Sequence, residues 1–226
     1  MNNHNANENT GSLQDTPSDL NSMEALSQYL KANAGVREGR SIPPLERWNP
    51  QQVSDMDLVI RANGEWWHEG SQVTRESLVS LFATVLWQEE KEGVIEYFLK
   101  TPVQKLRIQV EDVPLLINDV GVVEEEGLNW LEFTTTTGDV VRLDDQHQIE
   151  LQAFSAIEGD ASTQDTAASV VQIRPYMPVR NGLVALIGRN TFYHLTEIGK
   201  LSEREGVTIL TLQSGGQDFE LSMPAE

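Results

Sequence analysis

Apolar positions recur along this chain with two different periods, and the change from one to the other divides it. Leu78, Leu81, Phe82, Val85 and Leu86 stand at i, i+3, i+4, i+7 and i+8, the single stripe that a helix buries on one side. Thr74 occupies an N-cap position, and Gly93, after a charged turn, the position where a helix stops. Beyond Gly93 the period becomes two. Leu106, Ile108 and Val110 alternate with Lys105, Arg107 and Gln109, so both cations project from the polar face of one strand. Leu115 to Ile117, Trp130 to Thr135, Val140 to Leu143, Ile149 to Phe154 and Val170 to Arg174 continue the β-prone pattern, with Thr137-Gly138-Asp139 as a turn. A last hairpin joins Val207 to Leu212 and Phe219 to Leu221 across Ser214-Gly215-Gly216, which makes the sheet mostly antiparallel.

Asn63-Gly64 lies between the short β-prone runs Met56 to Arg61 and Glu65 to His68, and both central positions of such a dipeptide can take positive φ. Five residues further on comes Gly70. Asn181-Gly182 is likewise followed, after five residues, by Gly188. In each case a capped helix follows, the second with Asn190 as its cap, Phe192, Leu195 and Ile198 turned inward, and Gly199 as its stop. The pattern predicts an α+β fold of tandem repeated strand-hairpin-plus-helix motifs on mostly antiparallel sheets. Residues 1–41 read as a polar, disordered tail up to Asn21, a short helix capped by Ser22, and an extended lead from Gly35. Residues 42–100 form the N-terminal α+β repeat. Residues 101–226 form a C-terminal sheet domain holding the second repeat and a flexible loop at 155–169.

Of 226 residues, 39% are hydrophobic and 23% charged, a composition able to build a core. Sixteen Lys and Arg against 35 Asp and Glu give a net charge of -19, whose field repels nucleic acid polymers and anionic membranes. A small anion is still allowed, since a few arginines and backbone N–H groups make a local positive site. No apolar run reaches bilayer length and the N-terminus carries no signal-peptide pattern, so a cytoplasmic location is expected. Without cysteine there is no disulfide, thiolate metal site or thiol nucleophile.

The four histidines lie far apart with no metal-ligand spacing, and no nucleophile elbow, P-loop or dinucleotide fingerprint is present, so neither a metal nor a cofactor is expected, nor an enzyme of recognisable type. His147, beside Asp144 and Asp145, is either a solvated loop histidine or a site residue. Glu111 and Asp112 point to opposite faces if they lie in a strand, so they read as structural: one paired with Lys105 or Arg107, the other supporting the turn at Pro114. Of Trp66 and Trp67, one belongs in the core; the other, taken as Trp67, faces outward to stack on a base or to plug the junction between halves. Arg174, Arg180 and Arg189 gather near Asn181-Gly182 in a chain short of cations. With Lys105, Arg107 and Tyr176 they either converge on an anionic ligand or pair with surface carboxylates.

The landmarks Trp48-Asn49-Pro50, Asn63-Gly64-Glu65-Trp66, Glu69-Gly70, Thr101-Pro102-Val103-Gln104-Lys105, Val110-Glu111-Asp112-Val113-Pro114, Gly138-Asp139, His147 and Pro175-Tyr176 through Val179-Arg180-Asn181-Gly182-Leu183 make the sequence resemble the bacterial domain-of-unknown-function family 1285. The resemblance runs from about Ile42 to Gly199. It implies tandem α+β motifs, a C-terminal half superficially like pleckstrin-homology domains, a groove between halves for a nucleotide-like ligand, and a signalling role. The chain departs from the family's habit at Ser54 (often Gly), Gln148 (often Pro) and Pro178 (often His). With His absent, no acid–base role can sit at 178. The expected function is a regulatory module binding a small anionic, nucleotide-like ligand between its halves; the alternative is a protein-interaction adaptor without such a ligand.

Overall fold

Glycine preceded by a polar residue punctuates the chain, and at most of these points the backbone turns straight back. The computed structural model of the protein describes residues 20–33, 42–156 and 170–223. In it Glu69-Gly70, Glu92-Gly93, Glu126-Gly127, Asn181-Gly182, Glu205-Gly206 and Gly215-Gly216 have positive φ at both positions. Each pair is the whole loop between two antiparallel strands, where the turn's twist matches that of the strands it joins. The expected tail before Leu20, most of the lead from Gly35 and most of the 155–169 loop lie outside the described residues.

A first helix, α1 (Met23–Asn33), starts where Ser22 Oγ accepts the Ala25 N–H. The strands β1 (Gln52–Ile60), β2 (Trp66–His68) and β3 (Ser71–Gln72) then form one meander, and β4 (Leu86–Lys91), β5 (Val94–Lys100) and β6 (Gln104–Val110) another, with α2 (Glu76–Ala83) between them. They join into a 6-stranded sheet of order β3-β2-β1-β6-β5-β4, whose middle junction, β1 with β6, is parallel. The plan is then repeated. Strands β7 (Leu115–Glu125), β8 (Leu128–Thr135) and β9 (Val140–Arg142), followed by β10 (Glu150–Ala156), β11 (Val170–Arg180) and β12 (Leu183–Ile187), give the order β10-β11-β12-β7-β8-β9, and β12 lies parallel to β7. In both sheets the first strand of one meander pairs with the last strand of the next. After α3 (Arg189–Ile198), a 3-stranded sheet of β13 (Lys200–Arg204), β14 (Val207–Ser214) and β15 (Gln217–Met223) closes the chain.

One core runs through both halves, with Leu58, Ile60, Phe82, Leu99 and Leu106 from the first and Ile117, Leu131, Phe133, Leu183 and Ile187 from the second. Each such side chain contributes roughly 1.5–3 kcal/mol by leaving water. No helix is long and apolar enough to cross a membrane among the described residues.

Several expectations are corrected. The apolar stripe spans two elements: α2 ends at Ala83 and Leu86 opens β4, opposite Leu99. Glu92-Gly93 is a hairpin turn and not a helix stop, so residues 86–91 find ladder partners in β5. Leu78, Phe82, Val85 and Leu86 are buried and Leu81 is half-buried, an outcome that either geometry permits. Thr74 does not cap α2; the N-cap is Arg75, without a side-chain bond. For α3 the N-cap is Gly188, and Asn190 lies inside the helix. Leu195 is buried, with Phe192 and Ile198 half-buried against the core. Gly199 ends this helix in extended backbone, and a Cβ there would meet Leu210 Cδ1 at 2.6 Å and the Thr211 carbonyl at 2.9 Å. Its role is close approach.

The duplication is real at the level of the sheets, but the two Asn-Gly units are not its equivalent parts. One joins the first two strands of its sheet, the other the last two. Nor are the sheets simply antiparallel, since each six-stranded sheet carries a parallel junction and is therefore mixed.

Candidate functional site

Both Asn-Gly turns reach across the seam between the halves. At Gly64 a Cβ would lie 2.9 Å from Leu116 Cδ2 of β7, and at Gly182 2.6 Å from Gln88 Nε2 of β4, so each turn sits against the opposite sheet. Next to the second turn, α2 meets the β8–β9 loop. Ser80 Oγ donates to the Thr137 carbonyl at 3.3 Å. Arg180 donates from Nε to Asp139 Oδ1 at 2.8 Å and from Nη2 to the Ala83 carbonyl at 2.6 Å. That carbonyl belongs to the last turn of α2, where helix acceptors lack partners and the dipole favours a cation. The pair is enclosed, with 14% of the Arg180 side chain and 5% of the Asp139 side chain exposed. Asp139 Oδ2 also accepts from the hydroxyls of Thr137 and Thr135, at 3.2 and 3.4 Å. Arg180 Nη1 is buried with no acceptor among the described residues.

A second clamp closes the seam elsewhere. Asp112, in the link after β6, accepts from Arg174 Nη1 at 2.9 Å and from the Tyr176 hydroxyl at 3.0 Å. Arg174 also lies 3.8 Å over the Phe154 ring and donates to the Ala62 carbonyl at 3.4 Å. Burial first, and then the Asp112 carboxylate, push the Tyr176 phenol well above its ordinary pKa, so it stays a hydrogen-bond donor.

The residues singled out from the sequence therefore do not converge on one concavity. Lys105 pairs with Glu89 at 2.6 Å, and Arg107 with Asp55 and Glu96, both at 2.9 Å, on the face of the first sheet opposite Leu106 and Ile108. Glu111 pairs with Arg61 and not with either of these cations, and Asp112 supports the seam and not a turn at Pro114. Trp66 is buried and Trp67 faces outward, as the alternation requires. Arg61 lies 5.5 Å over the outward ring, and its indole N–H reaches Glu65. His147 Nδ1 meets Asp144 Oδ1 at 2.9 Å, and the same oxygen accepts the N–H groups of Gln146 and His147. This pairing holds a loop. Burial works to raise Asp144, yet these bonds keep it below its ordinary pKa. Among the described residues Arg189 reaches Tyr193, one turn along α3.

Sequence reasoning missed Asp139 and Lys100. Asp139 had a legible signal, since Thr135, Thr137 and Asp139 stand two apart around a turn and can gather oxygens at one point. Lys100 is 5% exposed, with its ammonium 3.8 Å from the Trp87 ring centroid. Burial, opposed by Glu89 and reinforced by Lys105, holds its pKa below the ordinary value. At the seam, then, Arg174 and Arg180 are each bound to an enclosed carboxylate, Asp112 and Asp139.

The family model described as the DUF1285 N-terminal domain, a domain of unknown function, matches residues 43–113, and that of the DUF1285 C-terminal domain matches 114–221. The boundary falls between β6 and β7. No curated protein matches the chain. The crystal structure of a DUF1285 family protein from Silicibacter pomeroyi is similar at 31% identity and a TM-score of 0.62, covering 85% of this chain and 94% of that one. A DUF1285 family protein from Shewanella baltica is 30% identical, covering 62% of this chain and 91% of that one, with a TM-score of 0.44.

Proposed function

We propose that this chain, which belongs to the DUF1285 family, is a non-catalytic protein-interaction module whose halves are clamped at the seam into a single recognition body. One observation carries the reading: Arg174 and Arg180, which bond across the seam to Asp112 and to the Ala83 carbonyl, are both committed to enclosed carboxylates, Asp112 and Asp139. An adaptor needs no convergent cationic pocket. It needs a stiff body and accessible sheet surface, and Leu128 and Val140, which lie on one face of the C-terminal sheet, are exposed. A pleckstrin-homology-like use of that half, in a cytoplasmic signalling setting, belongs to this reading.

A nucleotide-like anion held between the halves is the second reading, favoured by the unpartnered Arg180 Nη1. Thermal shift separates the two. A ligand at a hundred times its dissociation constant adds roughly 2.7 kcal/mol to the stability of the folded state, and no such shift is expected from nucleotides or signalling dinucleotides. A photo-crosslinking residue at Leu128 or Val140, in the cells that make the protein, is expected to capture one defined protein, and Val140→Glu to lose it. A nucleotide shift that Arg180→Ala abolishes while the variant remains folded would replace the adaptor with the ligand-binding module.

A further inference from the structure

Strand edges expose unpaired N–H and C=O groups, and folded proteins blunt them with short length, charge, proline or a bulge. The edges here differ in how far they are protected. In the first sheet, β3 is a two-residue strand and β4 ends in Glu89-Glu90-Lys91. In the second sheet, β9 has three residues. In the third, β13 carries Lys200, Glu203 and Arg204, and β15 carries Asp218 and Glu220. The other edge of the second sheet, β10, has none of these devices, although β15 lies close to part of it. Its sequence is Glu-Leu-Gln-Ala-Phe-Ser-Ala, with one charge at its first residue and no proline. It runs against β11 without a register shift from Glu150 to Ala156. Gln152, Ala153 and Ser155 are exposed. Beside it on β11, opposite Ala153 and Ser155, stand Ile173 and Val171, 48% and 59% exposed.

We infer that β10 pairs antiparallel with β10 of a second copy, joining two C-terminal sheets about a two-fold axis through Ala153. This inference does not rest on the adaptor reading. The strand is complementary to itself. In the register centred on Ala153, Leu151 faces Ser155, Gln152 faces Phe154, and Glu150 at each end faces residue 156 of the other strand, so no like charges meet. A two-fold axis normal to the sheet keeps both copies' Val171 and Ile173 on one face. Assembly stops at two, because β10 is consumed and β9 at the far edge is too short to continue it. With a charge of -19 per copy, mutual repulsion opposes the encounter, and added salt screens it.

The natural chain has no cysteine, which makes the test clean. Antiparallel pairing brings facing Cα atoms to about 4.5–5.5 Å, within disulfide range. Under mild oxidation Ala153→Cys is expected to give a cross-linked dimer at least tenfold faster than Val94→Cys, an exposed position on another sheet. Sedimentation of the full chain is expected to show a dimer that strengthens with salt. Ala153→Lys and Ala153→Asp should each be folded monomers, and mixing them should restore a dimer. A natural chain that stays monomeric at about 100 µM, a concentration that would populate a dimer of micromolar affinity, overturns the inference. So do equal cross-linking rates, a dimer that survives Ala153→Lys, or a dimer whose place is taken by a foreign protein's strand.

Discussion

Each Asn-Gly turn carries an arginine on its N-terminal side, and the two arginines live in opposite surroundings. Arg61 meets Glu111 with 47% and 38% of the two side chains exposed, whereas Arg180 meets Asp139 with 14% and 5% exposed. The turns differ as well. Asn181 and Gly182 both have positive φ and form a two-residue loop, while in the first turn only Gly64 is left-handed. There Arg61 N–H bonds to the Glu65 carbonyl and Asn63 Oδ1 accepts the Glu65 N–H, giving a three-residue loop. One dipeptide thus serves two turn geometries, and the packing around it decides how much the neighbouring arginine matters.

Removing the buried partner should have the largest effect. Arg180→Ala strands the Asp139 charge and frees the Ala83 carbonyl, and is expected to destabilise by about 3–5 kcal/mol. Urea denaturation measures this, and Arg180→Met with Asp139→Asn should recover part of it. A loss below about 1 kcal/mol would put both arginines in the same class. The glycines come next. Gly64→Ala combines left-handed strain with a Cβ pressed on Leu116 Cδ2 at 2.9 Å and Cβ at 3.1 Å, and is expected to cost about 2–4 kcal/mol. At Gly182 the obstacle is the mobile end of Gln88, so Ala there should cost about 1–2 kcal/mol. The reverse order would mean that the first turn yields and the second does not.

Arg61→Ala is expected to cost about 0–1 kcal/mol, with its trace in the acid limb. Burial works to raise Glu111, but the Ala62 N–H and Arg61 outweigh it and hold its pKa below the ordinary value. A carboxylate depressed in the folded state stabilises above its unfolded pKa, and that stability is lost as pH falls through the folded value. Stability against pH should therefore separate the natural chain from Arg61→Ala at neutral pH and bring them together in acid.

The sequence announced the strands through alternation and the Asn-Gly turns through composition, but it hid turns at Glu69-Gly70, Glu92-Gly93, Glu126-Gly127 and Glu205-Gly206 that share the two positive φ angles of Asn181-Gly182. Glutamate has no preference of its own for positive φ. It is carried there by the glycine that follows and by the strands that pair around it. The Glu92-Gly93 turn resembles a helix stop because Leu78 to Leu86 keeps helical spacing across an element boundary, and burial cannot tell the two geometries apart. At the seam, Arg180 was legible from its place beside a turn. Its partner stands 41 residues earlier, and nothing local to either residue announces the pairing. Asp112 and Tyr176 are 64 apart, and their meeting follows from how the halves dock.

The shared plan of the two sheets also sets an order of events for the refolding chain. Tight hairpins close in microseconds from residues that are already neighbours. The parallel junctions must bring Gln52 to Gln104 and Leu115 to Ala185, and closing such long spans is the slow step of β topologies. Each sheet therefore waits on one late zip between strands made early. Loosening a two-residue turn should speed unfolding more than it slows folding wherever that late junction, and not the turn, forms the barrier.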